Sequence, residues 1–262
     1  MTPLSHTRAM LLKVSFLPSD LPALALDIKW RGPESHLAPS RKTPLSKALM
    51  GKTNCGLFVL AAACLIWAAQ RLKLVADVNP LLCTAEALLC YQSDAAYFNR
   101  DGPTHLNGHL PLQREIVETL CYETSAIFQE IPGEHSSDPP IQAVETIIFL
   151  TRHILGPEWL EPFKDWVKTT IARLDRVAQN HFQTFQSIFD FETEEEFVTH
   201  LRNNVGNPLP LTVCGDGPDR DSKQYRLEFE EFMQGVDWSS NPYLSSPEVI
   251  QALGLPSAYG RE

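Results

Sequence analysis

The sequence predicts an all-α protein, an antiparallel multi-helix bundle with an extended N-terminal arm and a loop-rich C-terminal segment. Three observations carry this expectation. Apolar residues recur at helical spacing in successive stretches from residue 81 to residue 177. Cap residues followed by proline, and glycines further on, mark where those stretches start and stop. The longest apolar run, Leu57 to Ala69, is thirteen residues, short of the roughly 18 to 20 that a membrane span needs, so it reads as a helix buried all round.

Residues 1–42 are interrupted by Pro3, Pro18, Pro22, Pro33 and Pro39 and read as the extended arm, with a short strand suggested only by the alternation from Leu24 to Trp30. Residues 43–205 form the helical body. Thr43 is an N-cap with Pro44 at the first helical position, and helix continues to about Leu74, weakened or divided near its start by Gly51 and Gly56. Asn79-Pro80 repeats the device and places Leu81, Leu82, Ala85, Leu88 and Leu89 on one stripe ending near Phe98. A third helix starts near Pro111, buries Ile116, Val117, Leu120, Cys121, Ile127 and Phe128, and stops at Pro132-Gly133.

The fourth helix follows Pro139-Pro140, carries Ile141, Val144, Ile147, Ile148, Ile154 and Leu155, and has Gly156 as its expected C-terminal cap. From Pro157, Trp159, Phe163, Trp166, Val167, Ile171, Leu174 and Val177 keep the helical beat for over five turns. Thr193 to Glu196 is a capping box opening a sixth helix through about Asn204. Residues 206–262 make a C-terminal loop-and-helix segment packed on the same single domain. It has one helix holding Tyr225, Phe229, Phe232 and Met233, and a short last one from Ser246-Pro247-Glu248.

Composition bounds function as well as fold. With 44% hydrophobic and 21% charged residues, the 262-residue chain has the make-up of an ordinary globular protein with a real core. Its net charge of -10 is uneven: residues 1–80 carry ten Lys or Arg against four Asp or Glu, and the remainder twelve against twenty-eight. So acidic a remainder repels phosphate, which excludes nucleic acid as a direct partner. The six cysteines, Cys55, Cys64, Cys83, Cys90, Cys121 and Cys214, show neither C-x-x-C nor zinc spacing and read as small buried hydrophobes in a reducing compartment. A cytoplasmic location is expected. The rival reading, a secretory signal over Ala9 to Leu17, is opposed by Lys13, Pro18 and Asp20.

Several patterns resemble chemical sites without completing one. Gly51-Lys52-Thr53 matches the end of a phosphate-binding loop, but the first glycine of that motif falls on Ser46, so the segment reads as plain helix surface. His105 and His109 have a metal-compatible interval, yet Gly102, Pro103, Gly108 and Pro111 deny them a helix. Asp216, Asp219 and Asp221 lack calcium-loop spacing and read as a polar turn. No G-x-S-x-G, H-E-x-x-H or cysteine-nucleophile signature is present. The expectation is a protein without enzymatic activity, metal or other cofactor, and without affinity for membranes.

The most distinctive polar feature is the run Asp190, Glu192, Glu194, Glu195 and Glu196. Glutamates in a first helical turn favour the positive end of the helix dipole by about 0.3 to 1 kcal/mol each, which accounts for two or three of the five. The surplus, joined by Glu228, Glu230, Glu231 and Asp237, predicts a negative face that steers a basic protein partner. Trp238 and Tyr243 are candidate aromatic anchors for that contact.

The helix Ala61-Ala62-Ala63-Cys64-Leu65-Ile66-Trp67-Ala68-Ala69-Gln70-Arg71-Leu72, the acidic helix ending at Gly235, and the closing Asn241-Pro242-Tyr243-Leu244-Ser245-Ser246-Pro247-Glu248 together resemble bacterial immunity proteins. These are helical proteins encoded beside secreted toxins, and the likeness is to the partner of a type VI secretion nuclease effector. It spans roughly residues 45 to 260 in the order and spacing of helices, and only the last segment is motif-like. The resemblance implies a protein that neutralises its cognate toxin by tight stoichiometric binding at the active site. An adaptor or chaperone for a secreted effector, and a helical enzyme without a recognisable motif, are the alternative expectations.

Overall fold

A computed structural model of the chain describes residues 4–22, 26, 30, 43–99, 110–129, 140–180, 193, 196 and 205–252. Among these residues the regular structure is helical, with α1 His6–Leu11, α2 Pro44–Leu49, α3 Asn54–Leu72, α4 Asn79–Tyr91, α5 Leu112–Gln129, α6 Ile141–Ile154, α7 Pro157–Val177, α8 Ser222–Gln234 and α9 Pro247–Ala252. Short 3-10 turns cover Ala95–Tyr97, Leu211–Cys214 and Trp238–Ser240.

At the centre lies α3. Every residue from Cys55 to Leu72 is buried, because α4, α5, α6 and the Leu211–Cys214 turn all pack around it. By length and a mean hydropathy of 1.7 the helix passes for a membrane span, yet its whole apolar window is covered by protein. Uniform apolarity is what a helix enclosed on all sides requires. Its start is fixed by Thr53, whose hydroxyl accepts the Gly56 N–H, and the first turn lies so close to the end of α7 that a Cβ on Gly56 would stand 2.7 Å from Ala178 Cβ.

The remaining helices layer onto that centre. Thr43 caps α2 through the Ser46 N–H, with Pro44 in the first turn. Ile116, Val117, Leu120, Cys121, Ile127 and Phe128 of α5 are buried, as are Val144, Ile147, Ile148 and Ile154 of α6. On α7, Phe163 and Trp166 meet Trp67 of α3 at ring separations of 5.3 and 5.5 Å. Gln92 ties the 205–210 loop to the end of α4 at two points, donating to Leu209 O (3.1 Å) and accepting the Leu209 N–H (2.9 Å). A short antiparallel pairing joins Phe98 to Leu244.

Four expectations change. Residues 1–42 are not wholly an extended arm: Ser5 caps α1, and Arg8, Leu11, Phe16 and Leu21 are buried, since alternate prolines still leave room for one turn-and-a-half of helix with an apolar side. Gly156 is the N-cap of α7 with φ -64 and not a left-handed C-cap of α6, which ends in extended backbone at Leu155. The cap of α4 is Val78, with Asn79 already helical and its N–H accepted by Asp77 Oδ1 at 3.1 Å. That helix stops at Tyr91 and not near Phe98, the chain turning through Ala95–Tyr97 under an Asp94 cap. The suggested strand at Leu24 to Trp30, the Pro132-Gly133 stop and the sixth helix fall mostly or wholly outside the described residues.

Candidate partner surface and a buried polar centre

The C-terminal acidic face is built on α8. Asp221 caps the helix by accepting the Gln224 N–H at 2.8 Å, while Gln224 Oε1 faces the Asp221 N–H at 3.4 Å. Tyr225, Phe229 and Met233, spaced by four, turn inward. The opposite side therefore carries Leu227, Glu231 and Gln234 into solvent, and Leu227 is 56% exposed.

The structure divides the carboxylates singled out in the sequence. Glu228 is held by Arg220 and by the Thr212 hydroxyl. Glu230 pairs with Arg226 one turn earlier at 2.8 Å. Glu231 is exposed and has no ion-pair partner among the described residues. Asp237 accepts from the Ser240 and Ser239 hydroxyls, which hold its carboxyl below the usual range. Glu196 is exposed, its N–H 3.2 Å from Thr193 Oγ1, which is one half of the expected capping box. Asp190, Glu192, Glu194 and Glu195 lie outside the described residues. The unpaired negative surface on α8 is thus smaller than a count of acidic residues implies.

Both aromatic candidates also have partners inside the protein. Tyr243 is 7% exposed, and burial raises its phenol well above the ordinary value. Trp238 is half-buried, tilted onto Tyr97 at 4.9 Å. Both fasten the 238–244 segment to the core, because an aromatic ring that finds an apolar bed is more stable there than in water.

Two of the three patterns considered as chemical sites resolve into fastenings. Lys52 is 2% exposed and not on a helix surface. Its ammonium donates to Ala48 O (2.9 Å) and to Asp175 (2.5 Å), clamping the α2–α3 junction against α7. Asp219 binds Arg173 (3.0 Å) and Arg176 (2.7 Å). Arg173, buried, also donates to the carbonyls of Val213, Gly215 and Gly217, so the aspartate-rich turn is wrapped around a guanidinium. His105 and His109 lie outside the described residues. Among the described residues no three His, Cys, Asp or Glu side chains are grouped to hold a metal ion.

What the sequence reading missed is a polar centre between α1, α4 and residues 238–241. Glu86 sits at 0% exposure in the apolar stripe of α4. Its Oε2 accepts from Asn241 Nδ2 at 2.8 Å, and its Oε1 has no hydrogen-bond partner among the described residues. Burial raises this carboxyl's pKa, with the Asn241 bond and Arg8 pulling the other way. Arg8, 3% exposed, donates to Cys83 Sγ, to the carbonyl and hydroxyl of Ser240, and to Ser5 Oγ. Asn241 also donates to Cys83 O (2.9 Å) and accepts the Tyr243 N–H (3.0 Å). A glutamate between Ala85 and Ala87, amid leucines and cysteines, was the visible signal. All six cysteines are free and buried, and burial pushes Cys83 up to about 11 and Cys121 and Cys214 up to about 12, which leaves them protonated and inert at neutral pH.

Comparison of the chain with protein-family models, with curated proteins and with solved structures found no match.

Proposed function

We propose that the chain is an immunity protein that neutralises a cognate secreted bacterial toxin, a nuclease effector, through a tight stoichiometric complex that blocks the toxin's active site. The carrying observation is the outward side of α8, where the exposed Leu227 stands beside the exposed carboxylate of Glu231 on a helix whose other side is locked into the core. An apolar anchor rimmed by acid on a rigid scaffold complements a cleft shaped for polyanionic phosphate and lined with cations. The acidic run from Asp190 to Glu196 adds charge of the same sign. Its partner is protein, with neither nucleic acid nor membrane as a ligand, and its place is the cytoplasm.

The decisive measurement mixes purified protein with the nuclease domain encoded beside its gene and follows DNA cleavage. Cleavage is expected to stop at one equivalent. Undiminished cleavage at excess protein overturns the reading, and binding without inhibition would instead favour an adaptor or chaperone.

A further inference from the structure

Arg8 occupies a slot that outlasts its own contribution. Of the acceptors around its guanidinium, only Ser5 Oγ belongs to the α1 side. Cys83 Sγ and the two oxygens of Ser240 come from α4 and the 238–240 turn. Next to them lies the buried Glu86 with Oε1 unpartnered among the described residues. Asp77 acts electrostatically on Cys83, and Asp237 on Glu86, and Arg8 is the one cation among the described residues acting on either. Beside the slot there is thus an unused acceptor within reach of the field of Arg8. The acceptors that stay when α1 leaves, Cys83 Sγ and Ser240 O at Nη1 and Ser240 Oγ at Nη2, match the two-pronged end of a guanidinium and not the point charge of an ammonium.

The plug is short. Six residues are too few to sustain a helix alone, and α1 is fastened by Arg8, by Leu11 and by the Thr7 hydroxyl donating to Gly235 O. Met10 is half exposed. Beyond it the chain is anchored separately: Phe16 stacks on Trp166 at 5.3 Å, and Leu21 O accepts from Arg71 at 3.1 Å. Between the two anchorages Leu12 and Val14 are only partly buried against the core, so lifting α1 means freeing residues 12–15 while 16–21 keep their own contacts.

We propose that this slot is an arginine-receiving site which α1 fills in cis, and that a basic protein partner inserts an arginine of its own when α1 lifts away. The proposal deepens the reading above, on which it rests for the basic character of the partner. Displacement of α1 makes partner binding a competition, so the free protein keeps its buried carboxylate covered until an arginine-bearing surface arrives.

Two measurements on the full chain test it. In Arg8→Met, which retains the stem's packing, titration with methylguanidinium chloride is expected to give saturable NMR shifts confined to Ser240, Asn241 and neighbouring α4 amides. The wild type shows none, methylammonium reproduces none, and adding Glu86→Gln weakens binding about tenfold or more, as loss of a buried charge partner does. Non-saturating shifts, equal shifts with methylammonium, or no effect of Glu86→Gln overturn the site. Should Arg8→Met fail to fold, hydrogen exchange on the wild type decides: α1 amides are expected to exchange through local opening at least about a hundredfold faster than those of α3. Equal protection of the two overturns the detachable plug. Neither readout involves the nuclease, so failure here and failure of cleavage protection are told apart.

Discussion

Glu86 and Arg173 show how single buried charges organise this protein in opposite ways. The Glu86 carboxyl has a raised pKa because desolvation outweighs its one amide bond. The folded state then holds its proton more tightly than the unfolded state, so this group's contribution is full below the ordinary glutamate value of about 4.3 and is lost as pH rises through the higher folded value. Chemical denaturation of wild type and Glu86→Gln side by side is expected to show the wild type losing ground to the variant from about pH 4 upward, at a slope of up to about 1.4 kcal/mol per pH unit; parallel curves would refute it. Arg173, by contrast, is well partnered, by three carbonyls and Asp219. Arg173→Met leaves those carbonyls without their donor and is expected to cost about 2 to 4 kcal/mol in unfolding free energy.

At the scale of elements, the join between α3 and its neighbours is the tightest point. Gly206 adopts φ +75, and a Cβ there would meet Thr53 Cβ at 2.6 Å, so it must be glycine on two counts. Gly206→Ala is expected to lower stability by about 1 to 3 kcal/mol. Thr53→Val, which keeps the side chain's shape and removes the hydroxyl that caps α3, costs about 1 kcal/mol by the same thermal or denaturant melt. The Thr53 cap was not read from the sequence, which runs one helix from Thr43 to about Leu74, whereas Thr43 with Pro44 and the long runs of α5 and α7 are local patterns that survive into the fold. Gly156 was misread because a glycine between two helices serves equally as the end of one or the start of the next, and only the backbone angles distinguish them.

For the molecule as a whole, one continuous apolar cluster runs from Leu11 to Ile250 and includes residues of α1, the helical body, α8 and α9. A single calorimetric transition is therefore expected, with equal van't Hoff and calorimetric enthalpies. Separate melting of the 206–262 segment would show that it folds apart from the body. Charge acts at the same scale. Glu231→Lys is expected to slow association with the nuclease partner at low salt and to matter less as salt rises; an unchanged rate would remove α8 from the contact.

The sequence by itself determined the all-α class, the buried character of α3, most helix limits and the absence of a complete catalytic motif. Periodicity and capping are properties of neighbours along the chain, so they need no fold to be seen. The burial of Lys52 and Tyr243, the half-burial of Trp238, the ion pairs of Glu228 and Glu230, and the contact of Arg8 with Cys83 and Ser240 follow from packing alone. Each of these joins residues brought together by the packing around α3, and the free energy of a charge or a ring depends on what surrounds it, not on its place in the chain.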